Sequence, residues 1–127
     1  MVLEVGKVIG EGIGEVQEFI DVCDMAAGMS RKIGGSVMSS ERLDHFMLEK
    51  WNPLGCIGVI SAFNFPNAVY GWNAGIGLIC GNCIMWKPSP TTPLSSIATM
   101  KIIEEVFKAN NVPSGVCTLL CSGIPVG

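Results

Sequence analysis

Two polar side chains stand just past the ends of two short apolar runs, and they are the residues best placed for chemistry. Asn64 follows the run Cys56 to Ala62, and Lys87 closes the run Cys83 to Trp86. Ligands of open α/β sheets bind outside the carboxyl ends of the strands. A neutral amide donor and a cationic donor at equivalent ends of parallel strands therefore make a site. Glu18 is a third candidate. On a helix advancing about 100° per residue, it falls within a stripe of Val22, Met25 and Met29. A carboxylate inside an apolar stripe reads either as a helix edge reaching solvent or as a group facing a ligand.

Positioning these groups requires a particular set of elements. Cys56 to Ala62 is a β-branched apolar run after Asn52-Pro53 and Gly55, which reads as a buried strand. Phe63-Asn64-Phe65-Pro66 breaks it, and Pro66 suits the turn into a helix. Ala68 to Cys80 is apolar nearly all round and predicts a helix buried between layers, stopped at Gly81-Asn82. Cys83 to Trp86 is the second strand. Thr92 as N-cap and Pro93 at N1 open another helix, whose buried side is Leu94, Ile97, Ala98, Met100, Ile102, Ile103, Val106 and Phe107. Asn110 to Gly115 stops it, and Val116 to Cys121 is a third strand. The fold class is α/β: a partial doubly wound parallel sheet, βαβαβ over residues 44–127, with a helical lead-in over 1–43.

Within the lead-in, Met1 to Lys7 reads as the tail of a helix. Gly10-Glu11-Gly12-Ile13-Gly14 reads as a flexible break, since no strand precedes it as a dinucleotide fingerprint would require. Glu15 to Ile33 is predicted helical, with one apolar face of Val16, Phe19, Ile20, Cys23 and Ala27, and Gly34-Gly35 as its stop. Ser36 to Asp44 reads as a polar connection and His45 to Trp51 as a strand. His45 is the sole histidine, with no carboxylate or serine motif beside it, and is read as surface rather than as a base.

Composition closes off several classes. Of the 127 residues 49% are hydrophobic and only 15% charged, against roughly 25% charged in ordinary globular domains. The charge-free run Leu54 to Trp86 has the length of a membrane span. Its asparagines, Pro66 and strand-like ends argue against one. Net charge is −3 with no basic cluster, which leaves nucleic acid nothing to hold. The six cysteines sit in apolar segments, as reduced core thiols do. Cys80 and Cys83 with Cys117 and Cys121 match a four-thiolate zinc count, but they fall at a helix end and within a strand, so no metal is expected. No targeting signal is present at the start of the chain.

The words Ala62-Phe63-Asn64-Phe65-Pro66 and Gly81-Asn82-Cys83-Ile84-Met85-Trp86-Lys87-Pro88-Ser89 resemble the aldehyde dehydrogenase superfamily. Trp51-Asn52-Pro53-Leu54-Gly55, Ala68-Val69-Tyr70-Gly71-Trp72-Asn73, Gly14-Glu15-Val16-Gln17-Glu18 and Ser40-Glu41-Arg42 resemble its antiquitin branch, the α-aminoadipic semialdehyde dehydrogenases. The resemblance runs over essentially the whole chain. It implies an incomplete Rossmann-like NAD-binding domain within a longer, homotetrameric enzyme that oxidises an aldehyde to its acid, in the cytoplasm or mitochondrion. Asn64 would be the catalytic oxyanion donor, and Lys87 would bind the adenosine ribose of NAD. Ser61, Ala62 and Phe63 would line the cofactor, and Glu18 would pair with a substrate ammonium. Many members carry a ribose-binding Glu where this chain has Pro90; the antiquitin branch lacks it and is associated with NAD. No cysteine lies in the family's Gly-Gln-x-Cys setting, and the Glu-Leu-Gly-Gly and Gly-Ser-Thr segments are absent. The chain by itself is therefore expected to be an internal piece without turnover. The other class left open is a catalytically inactive nucleotide-binding or interaction module.

Overall fold

The computed structural model describes residues 1–127. Alternation along the apolar runs decides how the central sheet is built. In β3 (Cys56–Ile60) and β4 (Cys83–Lys87), Ile57, Val59, Ile84 and Trp86 turn to one face, while Cys56, Gly58, Ile60, Cys83 and Met85 turn to the other. With β5 (Cys117–Leu119) they form a parallel sheet in the order β3-β4-β5. The crossover helices α3 (Ala68–Ile79) and α4 (Pro93–Ala109) both cover the first face. Right-handed crossovers between adjacent strands lead to that arrangement. The core there joins Val59, Ile84, Trp86 and Cys117 to Tyr70, Ala74 and Met100. The opposite face is bare, with Ile60 and Met85 exposed.

α3 is buried between layers, as its apolar sequence predicts. The sheet lies beneath it and α2 (Ile9–Met29) above it. Glycines make the approach close enough. A Cβ at Gly71 would collide with the Phe19 ring, and one at Gly75 would lie 2.9 Å from Val22; at Gly77 it would lie 2.7 Å from both Ile57 and Ile84. Tyr70 stacks on Trp86 with ring centroids 3.9 Å apart, and Phe19 meets Tyr70 edge-on at 6.1 Å.

The lead-in differs from expectation in several places. Gly10 to Gly14 is not a break but the first turns of α2, after a short α1 (Val2–Val5). A helical glycine costs about 1 kcal/mol relative to alanine. Packing offsets that here, since Gly12 is buried against Val2. α2 ends at Met29 and not Ile33, where the Ser30 hydroxyl donates to the Ala27 carbonyl. Its packed positions are Gly12, Glu15, Phe19, Val22 and Ala26, whereas Val16, Ile20 and Cys23 border a groove beside α4 and Ala27 is exposed. On α4, Met100, Ile103 and Phe107 pack inward, while Leu94, Ile97, Ile102 and Val106 remain exposed.

The polar connection contains a strand. β1 (Val37–Ser39) pairs antiparallel with β2 (Phe46–Leu48), which is shorter than the His45 to Trp51 run. The hairpin straddles residues 43–44, and the parallel strands begin only at Cys56. Gly35 serves this hairpin rather than the helix end. Its φ is +84°, and a side chain there would strike the Glu49 carbonyl. The third strand stops at Leu119, leaving Cys121 outside, although Leu120 N–H still donates to the Trp86 carbonyl at 2.8 Å. No helix is long and apolar enough to cross a membrane.

Candidate functional site

Parallel register brings the carboxyl ends of β3 and β4 level, with Ile60 opposite Lys87. One residue further, Ser61 N–H donates to the Lys87 carbonyl at 3.2 Å. The Ser61 hydroxyl is buried and accepts the Trp86 indole N–H at 2.8 Å. Its side chain and its N–H are thus committed, and only its backbone carbonyl remains for a ligand. Ala62, Phe63 and Asn64 then emerge at the surface. The Asn64 side chain makes no hydrogen bond, so the turn does not use it to satisfy its own backbone. Lys87 is half-buried, and the one contact of its ammonium is a long 3.5 Å approach to the Pro88 carbonyl. Both donors therefore have capacity to spare. Phe65 and Trp72, partly exposed with ring centroids 6.4 Å apart, add an aromatic wall beyond the turn.

What fixes that turn is a pair of residues not singled out in the sequence. Glu15, on α2, is 1% exposed. Its Oε1 accepts Asn67 N–H at 2.7 Å and Ala68 N–H at 3.2 Å, capping α3 in place of a local side chain. Its Oε2 pairs with Lys7 Nζ at 2.9 Å. The same ammonium sits 3.7 Å above the centroid of the Phe65 ring. Glu4 treats α4 likewise, accepting Leu94 and Ser95 N–H at 2.7 Å each and the Ser95 hydroxyl as well. Thr92 holds the N-cap position of α4 as expected, but its own hydroxyl caps nothing and is buried without a partner. The sequence held no signal of this, because Asn67 and Thr92 are ordinary N-cap residue types and only the structure shows that neither caps its helix.

Glu18 lies half-buried on α2, one turn beyond Glu15, with no hydrogen bond or ion pair. Because Glu15 meets Asn67 and Phe19 meets Gly71, Glu18 stands at the level of the first turn of α3. The structure thus joins Ser61 and Lys87 directly and puts Asn64 just beyond them, with Glu18 on the neighbouring helix. A groove of about 600 Å³ between α2, α3 and α4 involves none of these four residues.

Electrostatics narrows what the site can hold. Helix N-termini are ready anion sites, yet those of α3 and α4 are already filled by Glu15 and Glu4. A dinucleotide's pyrophosphate would find no vacancy there. Burial raises the pKa of the Glu4 carboxyl, but the Ser95 hydroxyl and the Ser95 and Leu94 N–H groups outweigh that and hold it below its ordinary value. The Tyr70 hydroxyl has no hydrogen-bond partner. Burial, with a smaller effect from the neighbouring Cys117 thiol, pushes its pKa far above the tyrosine range. Burial also pushes the Cys117 thiol up. All six cysteines are free thiols.

The aldehyde dehydrogenase family model matches residues 1–127. The chain belongs to the aldehyde dehydrogenase family. It is similar to aldehyde dehydrogenase family 7 member B4 of Arabidopsis thaliana, 59% identical over 125 residues, covering 98% of this chain and 25% of the relative. α-Aminoadipic semialdehyde dehydrogenase of Bos taurus is 54% identical, with 98% and 23% covered. This aldehyde dehydrogenase chain thus spans about a quarter of the length of the curated relatives it matches. Among solved structures it resembles glyceraldehyde-3-phosphate dehydrogenase of Methanocaldococcus jannaschii complexed with NADP: TM-score 0.87, 33% identity, 94% of this chain and 26% of that one. Betaine aldehyde dehydrogenase of Staphylococcus aureus in complex with NAD+ gives a TM-score of 0.84 at 28% identity, with 94% and 23% covered. The α/β fold with its parallel half-sheet is the one those enzymes share with this aldehyde dehydrogenase segment.

Proposed function

We propose that this chain supplies the oxyanion donor and the cofactor-facing strand ends of an NAD-dependent dehydrogenase that oxidises α-aminoadipic semialdehyde to its carboxylic acid. The observation that carries the proposal is the unengaged Asn64 amide just past β3, with the sparsely bonded ammonium of Lys87 at the level end of β4. When a thiolate attacks an aldehyde, the carbonyl oxygen becomes an anion. The Asn64 NH₂ would donate to it as charge develops, an interaction stronger in the transition state than in the ground state. Lys87 would donate to the ribose hydroxyls, and the Ser61–Phe63 backbone would form the adjoining wall. A bound nicotinamide supplies the hydride acceptor, and water completes the balance to acid. Glu18, half-buried and unpaired, would meet the ammonium of the substrate. The name of the relative in Bos taurus supports this substrate class.

The test uses a chimera in which this chain replaces the matching segment of the Arabidopsis thaliana relative. Asn64→Ala should lower kcat for every aldehyde by about 10²–10³, as loss of one oxyanion donor does. Glu18→Gln should lower kcat/KM for α-aminoadipic semialdehyde by roughly ten- to a hundred-fold, about 1.5–3 kcal/mol, and spare simple aliphatic aldehydes. Equal effects of Glu18→Gln on both substrate classes, or none, would remove the substrate role and leave Glu18 a helix-edge residue.

A further inference from the structure

We propose that Lys7 and Glu15 are positioning residues that aim the Asn64 amide, an inference that rests on Asn64 being the oxyanion donor proposed above. Asn64 has no side-chain bond of its own, so the backbone of its turn sets its direction. That turn is gripped at two points immediately downstream. The Phe65 ring lies under the Lys7 ammonium at 3.7 Å, and Asn67 and Ala68 donate their N–H groups to Glu15 Oε1 at 2.7 and 3.2 Å. The 2.9 Å ion pair between Lys7 and Glu15 Oε2 ties the two grips into one clamp.

Helix capping alone does not account for this arrangement. One carboxylate oxygen does all the capping, while the second is spent on a lysine whose side chain is only 12% exposed. Asn67, at the N-cap position of α3, instead accepts the Thr99 hydroxyl on its side-chain Oδ1. Desolvating a charge pair is an inefficient route to stability. Its location is informative, since it fixes residues 65 to 68 on one side of Asn64 while β3 and the buried Ser61 fix the other. The clamp holds the downstream flank and β3 the upstream one, and the donor between them is left free.

The experiment is a double-mutant cycle in the same chimera. Lys7→Met keeps the stem and removes the charge from both the ring and the carboxylate. Misplacing a catalytic group by about 1 Å costs up to about 10²-fold, so a fall in kcat of about ten-fold is expected, with KM for NAD unchanged. In an Asn64→Ala background the same substitution should change kcat by less than about two-fold, because there is no donor left to misdirect. Lys7→Arg, which retains the charge over the ring, should restore most of kcat. Glu15→Gln, which keeps an acceptor for the two N–H groups, should show the same dependence on Asn64 if Lys7→Met does not fold. An equal loss in both backgrounds, or no loss with Asn64 present, overturns the positioning role while leaving Asn64 in place. An Asn64→Ala variant with undiminished kcat overturns the donor assignment and the clamp with it.

Discussion

The 127-residue chain carries more surface than a molecule of its mass should, and that excess predicts how it behaves in solution. Its accessible surface is 8545 Å² at 13.5 kDa, whereas a folded monomer of that mass exposes about 6,500 Å². The surplus of about 2,000 Å² is more than twice the roughly 800 Å² that one partner contributes to a standard interface. Much of it is apolar: Ile60 and Met85 on the bare sheet face, Val37 and Phe46 on the hairpin. Covering half of the surplus with apolar contacts gains about 25 kcal/mol at 25 cal/mol per Å². Association costs about 4–15 kcal/mol in lost translational and rotational freedom. Self-association should therefore win for the isolated chain. Ile60→Lys with Met85→Lys, which places two charges on the bare face, should raise the monomer fraction. The assay is size-exclusion chromatography with light scattering as a function of concentration, followed by a thermal melt. A monodisperse 13.5 kDa monomer with a sharp cooperative melt, before any substitution, would refute the reasoning.

Three further expectations concern the chimeric enzyme. Gly71→Ala should lower its inactivation temperature, since overpacking against Phe19 costs about 1–3 kcal/mol, while Gly14→Ala, with open space around it, should raise stability by about 0.5–1 kcal/mol. Tyr70→Phe should be neutral or stabilising by about 1 kcal/mol, because it keeps the stack on Trp86 and removes a buried hydroxyl without a partner. The stability that Glu4 contributes should be fully present above about pH 4.5 and fall away as pH drops through its lowered pKa. A Glu4→Gln variant, compared with the parent by acid titration of unfolding, should lack that component.

The parallel half-sheet was legible because its strands and α3 announce themselves by composition. A charge-free run broken at Asn64-Phe65-Pro66 and at Gly81-Asn82 has few other ways to fold. The strand ends, and with them Asn64 and Lys87, followed from that. The first fifty residues were less legible for two physical reasons. α2 starts through glycines at 10, 12 and 14 against local propensity, and of these only Gly12 has a packing contact that offsets the cost. The strand β1 is exposed on both faces in a polar stretch, so no alternation marks it, whereas β2 falls within the expected His45 to Trp51 run. The clamp was hidden for a different reason. Glu15 and Glu18 look alike in sequence, one turn apart on the same helix. Only the placement of α3 decides that the first is sealed under it, whereas the second keeps partial access to solvent.

The two carboxylate caps also bear on how the chain acquires its shape. A cap contributed by a neighbouring residue helps to nucleate its own helix, which is the costly step. Here the caps arrive from 52 residues away for α3 and 90 for α4, so they cannot assist until long loops have closed. The first turns of both crossover helices should accordingly be late to gain protection during refolding. In the native state the Asn67, Ala68, Leu94 and Ser95 amides should exchange hydrogen together, as one unit, whenever residues 1–15 lift away. Detachment of that short segment would loosen two helix starts at once, and one of them carries the turn that holds Asn64.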